Sequence, residues 1–210
     1  MPKPKIVIFD LDGVLVDSNK LTAEDFYNVH LNADKNLYRE TLCGNFIEEV
    51  AKLAELKKPE TPEEKEERLT IYRNKKKDCA IFEGIPELLR ELHSCGYTIC
   101  LNTSASIQSS SPSLERHELI HFFDFLGTKE VSVRKTEKFE MIKEKYNAKA
   151  DEMIFITDTL GDIREADHVG VPTIAVTWGI HDRGYFDREP HDNLIGIVDS
   201  VAELREKIML

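Results

Sequence analysis

The stretch Ile6-Val7-Ile8-Phe9-Asp10-Leu11-Asp12-Gly13-Val14-Leu15-Val16-Asp17-Ser18 decides the fold. Its four leading apolar residues, all branched or aromatic, read as a short strand buried on both faces, the pattern of a parallel sheet. Two carboxylates and a glycine follow at once. In open α/β sheets ligands bind beyond the carboxyl ends of the strands, so Asp10 and Asp12 fall where chemistry is expected. Side chains alternate along extended chain, so both carboxylates can face one cavity while Leu11 packs away from it. Gly13 permits a positive-φ departure that other residues resist. Carboxylates this close oppose each other's ionisation unless a cation lies between them. Magnesium, which prefers hard oxygen ligands and keeps part of its water, suits such a pair. Taken alone, Asp-x-Asp is as readily a strand running into an acidic turn.

The chain has 210 residues, enough for one domain with a substantial core, or for a core with a small insertion. Its formal net charge of −11 argues against a nucleic-acid or anionic-membrane surface, since both require a basic face. No apolar run approaches the ~20 residues of a membrane span, and the first is too short for a signal peptide. Residues 1–5 are a polar lead-in. Cys43, Cys79, Cys95 and Cys100 form no C-x-x-C pair and no zinc spacing. Cys95 and Cys100 read as small core or near-core residues. A reduced, cytoplasmic setting is expected.

From residue 18 to about 81 the pattern is helical throughout. Leu21, Phe26 and Val29 recur at helical intervals, as do Phe46, Val50, Leu53 and Leu56. A third helix opens at Thr61-Pro62-Glu63-Glu64, with an N-cap threonine, proline at the first helical position and a capping-box glutamate. Thinly apolar and heavily charged, it is expected to lie on the outside. From Phe82 onward helices and strands alternate. Helices are expected over residues 86–95, from Ser111-Pro112, over 138–146 and 163–169, and after the capping box Ser200-Val201-Ala202-Glu203. Strands are expected over residues 97–101, 122–126, 153–156 and 173–176. Such alternation means parallel strands with crossover helices, an α/β doubly wound sheet. The core is then formed by residues 1–18 and 82–210. The helical insertion, residues 19–81, is placed directly over the acid pair.

The other strand ends are equally polar. Asn102, Thr103 and Ser104 follow Ile99-Cys100-Leu101, and hydroxyls with freed backbone N–H groups at such a turn can bind phosphate oxygens. Arg134, Lys135 and Lys138 stand near a helix start. Thr157-Asp158-Thr159-Leu160-Gly161-Asp162 follows Ile154-Phe155-Ile156 and places two carboxylates four apart at a switch from strand to helix.

In this order the motifs resemble those of the haloacid dehalogenase superfamily of phosphatases and phosphomutases. The first, D-x-D-G-[TV]-L-x-D-S, is matched by Asp10 through Ser18 without a gap. The second, a hydroxyl at a strand end, falls on Thr103. The fourth, G-D-x-x-x-D, falls on Asp158 and Asp162, with Thr157 in place of the usual glycine. The resemblance extends to Phe82-Glu83-Gly84-Ile85-Pro86-Glu87-Leu88-Leu89 and to Thr177-Trp178-Gly179. It is weakest in the helical insertion. The third motif, a lysine, is assigned to Lys135 by its separation from Asp158, with Lys138 as the alternative because it begins the helix more directly. The proline that follows this lysine in many relatives is missing here.

The resemblance implies a Rossmann-like core with a small helical cap of the subfamily I type, seen in phosphoglycolate phosphatases and β-phosphoglucomutases. It implies Asp10 as nucleophile and Asp12 as general acid and base. It implies Mg²⁺ held by Asp10, the backbone carbonyl of Asp12 and Asp158, with Asp162 in support, and phosphate held by Thr103, Ser104 and Lys135. The cap specificity loop falls on Cys43-Gly44-Asn45-Phe46-Ile47. Sugar-phosphate mutases carry basic residues there and this loop has none, so hydrolysis of a small phosphorylated metabolite is expected over phosphoryl transfer between two sugar positions. Dehalogenase and phosphonatase branches lack the second aspartate, so Asp12 argues against both. The oligomeric state is left open. A receiver domain, the other doubly wound acid-Thr-Lys fold, is shorter and has its phosphorylated Asp after a later strand. A non-catalytic binding module would not need the whole acid set. A zinc metalloprotease is the remaining rival, through the H-E-x-x-H run His117-Glu118-Leu119-Ile120-His121, if the run is helical and brings both histidines to one face.

Overall fold

In the computed structural model, which describes residues 5–209, a six-stranded parallel sheet carries the fold. The expected polar lead-in is thus described only at Lys5, residues 1–4 lying outside the described residues. Strand β1 (Ile6–Phe9) is followed by four helices, α1 (Asn19–Val29), α2 (Lys35–Thr41), α3 (Phe46–Lys52) and α4 (Pro62–Lys77). The chain then alternates through α5 (Ile85–Ser94), β2 (Thr98–Asn102), α6 (Ile107–Arg116), β3 (Phe125–Gly127), α7 (Lys135–Tyr146) and β4 (Met153–Thr157). It ends with α8 (Leu160–His168), β5 (Thr173–Val176), α9 (Arg183–Phe186), β6 (Leu194–Val198) and α10 (Val201–Met209). The strand order is β3-β2-β1-β4-β5-β6. Order reverses between β1 and β4, which pair in register from Ile6↔Met153 to Phe9↔Ile156. A doubly wound sheet opens its ligand crevice at such a switch point. The last residues of these two central strands therefore lead straight into it.

Both sheet faces are covered, which is why the strands read as unbroken apolar runs. Val7, Phe9, Ile99 and Ile156 point into one layer with Leu88, Leu89 and Leu92 of α5. Ile6, Ile8, Cys100 and Phe155 point into the other with Phe139 and Ile142 of α7. Ile85, Leu88, Leu89 and Leu92 are spaced to share one helical face, and all four are buried. Each buried side chain of this size contributes roughly 1.5–3 kcal/mol.

The helical insertion leaves and rejoins the core through two adjacent extended segments. Val16 bridges Ile81 antiparallel, Asp17 N–H donates to Ala80 C=O and Phe82 N–H to Leu15 C=O. Such a paired connection is where a hinge would lie.

Four local expectations are corrected. α6 begins at Ile107, not at Ser111, and Pro112 lies inside it. Its missing N–H removes one helical bond, and Ser110 Oγ donates to Ser106 C=O within the same helix. The third strand is three residues at the sheet's outer edge, and Phe122 closes a 3₁₀ turn instead of opening the strand. Cys95, the C-cap of α5, is exposed. α7 opens at Lys135, so Lys138 lies one turn inside it. Among the described residues no helix is long and apolar enough to cross a membrane.

Candidate active site

Asp10 follows β1, and its N–H donates to Ile156 C=O (2.9 Å), so the sheet ladder itself sets the nucleophile candidate beside β4. Asp158 follows β4 one residue past its end. Lys135, at the start of α7, reaches between the acids, with Nζ 3.0 Å from Asp10 Oδ1 and 2.5 Å from Asp162 Oδ2. Thr157 also donates to Asp162 Oδ2 (2.6 Å). The residue that departs from the glycine pattern thus orients this carboxylate.

These groups are nearly dry: Asp10 is 7% exposed, Asp158 and Lys135 1% each. Burial, with the Asp162 and Asp12 carboxylates nearby, pushes Asp10 up to about 6 despite Lys135. Burial and the Asp10 charge raise Asp158 well above the usual carboxylate range. For Lys135 burial acts to lower the ammonium, but Asp10 and Asp162 outweigh it and hold it above the ordinary lysine range. Lys138 goes the other way. Burial and the charge of Lys135 bring it down to about 8, and its Nζ donates to Thr103 C=O (2.7 Å).

Asp158 Oδ2 accepts the Ile180 N–H (2.8 Å), while Oδ1 is buried with no hydrogen-bond partner. Two glycines enclose this carboxylate. A Cβ on Gly13 or Gly179 would fall 2.1 or 2.2 Å from Asp158 Oδ2, and Gly13 also takes the positive φ of 77° needed to turn the chain.

Thr103 Oγ1 accepts the Ala105 N–H (3.1 Å), which leaves its own proton free to donate. Ser104 lines the same cavity. Asp12 is turned toward the insertion, where it accepts from Ser18 Oγ and from Lys76 Nζ (2.7 Å). Lys76 is fully buried. It lies in the last turn of the helix expected on the outside, and α4 does lie largely exposed up to this turn. Within Lys75-Lys76-Lys77 the local sequence singles out no member, since all three suit a helix C-terminus.

The family model for haloacid dehalogenase-like hydrolases matches residues 7–176. The chain belongs to this family. Pyrophosphatase PpaX of Bacillus cereus is 28% identical over 94% of this chain and 93% of its own. That of Bacillus mycoides is 26% identical over 98% and 99%. Among solved structures, the haloacid dehalogenase-like protein SP0104 of Streptococcus pneumoniae superposes with a TM-score of 0.73 at 22% identity, covering 99% of each chain. CbbY of Rhodobacter sphaeroides, solved with phosphate, reaches 0.76 at 19% identity, covering 96% of each. These two likenesses bear on the fold.

In this hydrolase the loop Cys43-Gly44-Asn45 is docked on the core. Gly161 N–H donates to Leu42 C=O (3.0 Å), Arg164 to Cys43 C=O (2.5 Å), and Asn45 Nδ2 to Glu165 (2.8 Å) and Val133 C=O (3.0 Å). Glu165 in turn accepts the Lys135 N–H (2.7 Å) at the start of α7, where a carboxylate is favoured. The loop is therefore tied through Glu165 to the start of the helix that holds the site lysine. His181 makes a second bridge. Its Nδ1 accepts the Leu160 N–H and its Nε2–H donates to Arg39 C=O, each at 2.9 Å. Lys76, Glu165 and His181 were not marked by any motif, because each acts through a contact far away in sequence, whereas Ser18, which closes the first motif, reaches Asp12 from six positions away.

A Cβ on Gly161 would meet Gly44 C=O at 2.2 Å and Leu42 C=O at 2.8 Å, backbone atoms with no easy way to yield. Gly161→Ala is expected to lift the loop and lower kcat/KM by roughly 10²-fold, the scale of an ångström of misplacement. Steady-state kinetics and limited proteolysis between residues 30 and 60 read this. Unchanged kinetics would show that the docked arrangement is not used in turnover.

The helical reading of His117–His121 is corrected. α6 stops at Arg116, and Glu118 takes φ 55°, which turns the chain before His121. His117 Nε2 bonds Cys79 C=O (2.9 Å) instead. The two histidines do not share a helical face, and among the described residues no three His, Cys, Asp or Glu converge as a ready metal cage. His117→Ala is expected to keep full hydrolase activity and to cost about 1 kcal/mol of stability for the lost hydrogen bond. Stoichiometric zinc in the purified protein, with peptidase activity lost in this variant, would restore the protease reading.

Proposed function

We propose that this protein is a magnesium-dependent phosphatase that hydrolyses a small phosphorylated metabolite through an aspartyl-phosphate on Asp10. The observation that carries the reading is the pair of buried acids, Asp10 and Asp158, side by side at the sheet's switch point, with Lys135 reaching between Asp10 and Asp162. A haloacid dehalogenase-like hydrolase with both Asp10 and Asp12 has what ester hydrolysis needs and halide displacement does not.

The residues fit a magnesium ion. The donors are all hard oxygens, Asp158 keeps a buried oxygen without a partner, and the acids repel each other in the absence of a cation. Magnesium usually takes only one or two carboxylates and completes its shell with water and substrate phosphate, so the lack of a three-residue cage is no obstacle. Asp10, Asp158 and the Asp12 carbonyl would hold it. Asp162, whose Oδ2 is engaged by Lys135 and Thr157, would act through its other oxygen or a water. When bound, the ion neutralises charge on the phosphoryl oxygens.

This chain's residues supply the rest. A carboxylate oxygen of Asp10 attacks phosphorus in line with the ester oxygen, the P–O ester bond breaks, and protonated Asp12 gives its proton to the departing alkoxide. Asp12, now a carboxylate, takes a proton from water, whose oxygen attacks phosphorus and releases phosphate from Asp10. Lys135 and the hydroxyls of Thr103 and Ser104 hold the phosphoryl oxygens, where positioning and charge matter most. The helical segment, residues 19–81, serves as the cap that excludes water and contacts the leaving group. Pyrophosphate, named in the PpaX relatives, falls within the same phosphorus chemistry.

The test is a panel of phosphate esters assayed with Mg²⁺ and after chelation. Hydrolysis of at least one ester, lost with EDTA and restored by Mg²⁺, is expected. Failure on every ester with Mg²⁺ present would remove the reading.

A further inference from the structure

The site opens into a cavity of about 270 Å³ between the strand ends and the helical insertion. A cavity of about 150 Å³ takes a benzene, so this one has room for a phosphoryl group and a single ring or short chain. Its floor is the acidic and hydroxyl set already described. Its roof is largely apolar, with Phe26, Val29, Leu42, Phe46, Val50 and Tyr72.

Charge at the roof is the deciding feature. Among the described residues Lys135 is the one lysine or arginine lining the cavity, and it stands at the floor between Asp10 and Asp162. Lys76 is held by Asp12. The carboxylate at the roof, Asp25, is matched by Arg68 at 2.8 and 3.0 Å, and Arg68 is further shared with Glu60. Among the described residues no lysine or arginine of the lining is left to meet a second phosphate or a carboxylate on the leaving group. Burying such an anion against apolar walls without a counter-charge is strongly unfavourable.

Apart from Asn19, whose amide both donates and accepts, the polar groups at the roof point to the same class. Tyr38 Oη donates to Thr22 Oγ1 (2.8 Å), and Thr22 donates to Asn19 C=O (3.1 Å). His30 Nδ1–H donates to Phe26 C=O (2.9 Å), so that nitrogen is taken up within the insertion. Asp25 can only accept. What Tyr38 and Asp25 have left to offer a ligand is accepting capacity. That matches a hydroxyl, not a phosphate or carboxylate oxygen.

From this geometry we infer that the leaving group is an uncharged alcohol with a ring or short-chain apolar body carrying a further hydroxyl. Pyrophosphate, bisphosphates and carboxylate-bearing esters are then poor substrates, which separates this chain from its pyrophosphatase relatives. The inference rests on the phosphatase reading of the site.

The test compares kcat/KM, with Mg²⁺, for benzyl phosphate and 4-(hydroxymethyl)benzyl phosphate against pyrophosphate, phosphoglycolate and fructose 1,6-bisphosphate. The ring esters are expected to exceed each anionic substrate by tenfold or more (~10×, about 1.4 kcal/mol). The hydroxymethyl ester is expected to be the better of the two. Val50→Lys, which puts a cation on the roof, is expected to narrow or invert the ratio. A wild-type preference for pyrophosphate or phosphoglycolate would overturn the inference and leave the phosphatase reading standing. If no compound is turned over, that reading fails. Calorimetric binding to the Asp10→Asn protein then still decides the inference, which is overturned if pyrophosphate binds more tightly than the ring esters.

Discussion

Asp10→Asn is expected to abolish turnover and leave the folded protein at least as stable as before. The substitution is nearly isosteric and replaces the attacking oxygen with an amide that cannot form the acyl phosphate. Asp10 is buried, and its charge is opposed by burial and by two neighbouring carboxylates, so a neutral side chain relieves repulsion. Lys135 loses one partner but keeps Asp162 at 2.5 Å. No buried cation is left unpaired, which is the usual route to a large loss. Asp12→Asn is expected to lose about 10²–10⁴-fold, the ordinary worth of general acid–base catalysis. Thermal melts of the metal-free proteins and kcat on the best ester read both variants. An Asp10→Asn rate within about tenfold of wild type would leave no place for an aspartyl-phosphate, since covalent catalysis cannot survive loss of its nucleophile.

The parts of this protein legible in its sequence are those where burial is complete. β1, β4 and β5 are buried at every position, and a strand covered on both faces must be apolar throughout. Their polar followers, Asp10 and Asp158, then stand out. β6 is different. It is half-buried at four of its five residues, and although four of the five are apolar, Gly196 interrupts the run. β3 is misplaced for a related reason. Phe122 is buried but lies in the turn before the strand, and hydrophobicity reports burial before it reports conformation. The site divides along the same line. The nucleophile, acid–base and lysine candidates sit at strand or helix ends and carry local motifs. Lys76 reaches Asp12 from 64 positions away, and Glu165 ties Asn45 to the start of α7. Contacts of that span leave no local trace: any of several lysines of α4 would satisfy the pattern, and nothing around Glu165 in α8 points to Asn45 or Lys135.

Lys135 and Lys138 of α7 are both fully buried, so exposure does not choose between them, but their partners do. Lys135 Nζ lies among the carboxylates and lines the cavity; Lys138 Nζ is tied to Thr103 C=O and does not line it. A phosphate ligand must keep its charge while touching the substrate. Lys135, held above the ordinary lysine range by two acids, meets that need, whereas Lys138 is drawn toward neutrality by burial and by Lys135 itself. Lys135→Ala is expected to lower kcat/KM by about 10³-fold, the size of loss seen when one preorganised charge-stabilising donor is removed. It also leaves Asp10 and Asp162 facing each other without their shared cation, so the metal-free protein should melt earlier. Lys138→Ala is expected to act through the Thr103 turn. Its carbonyl loses a buried donor, stability falls by roughly 1–3 kcal/mol, and catalysis declines less than in the first variant. Lys135→Arg and Lys138→Met separate charge from packing: the first should recover part of the activity, the second most of the stability. The reverse ranking in kcat/KM would give the phosphate-binding role to Lys138 and leave Lys135 as the counter-ion of the acids.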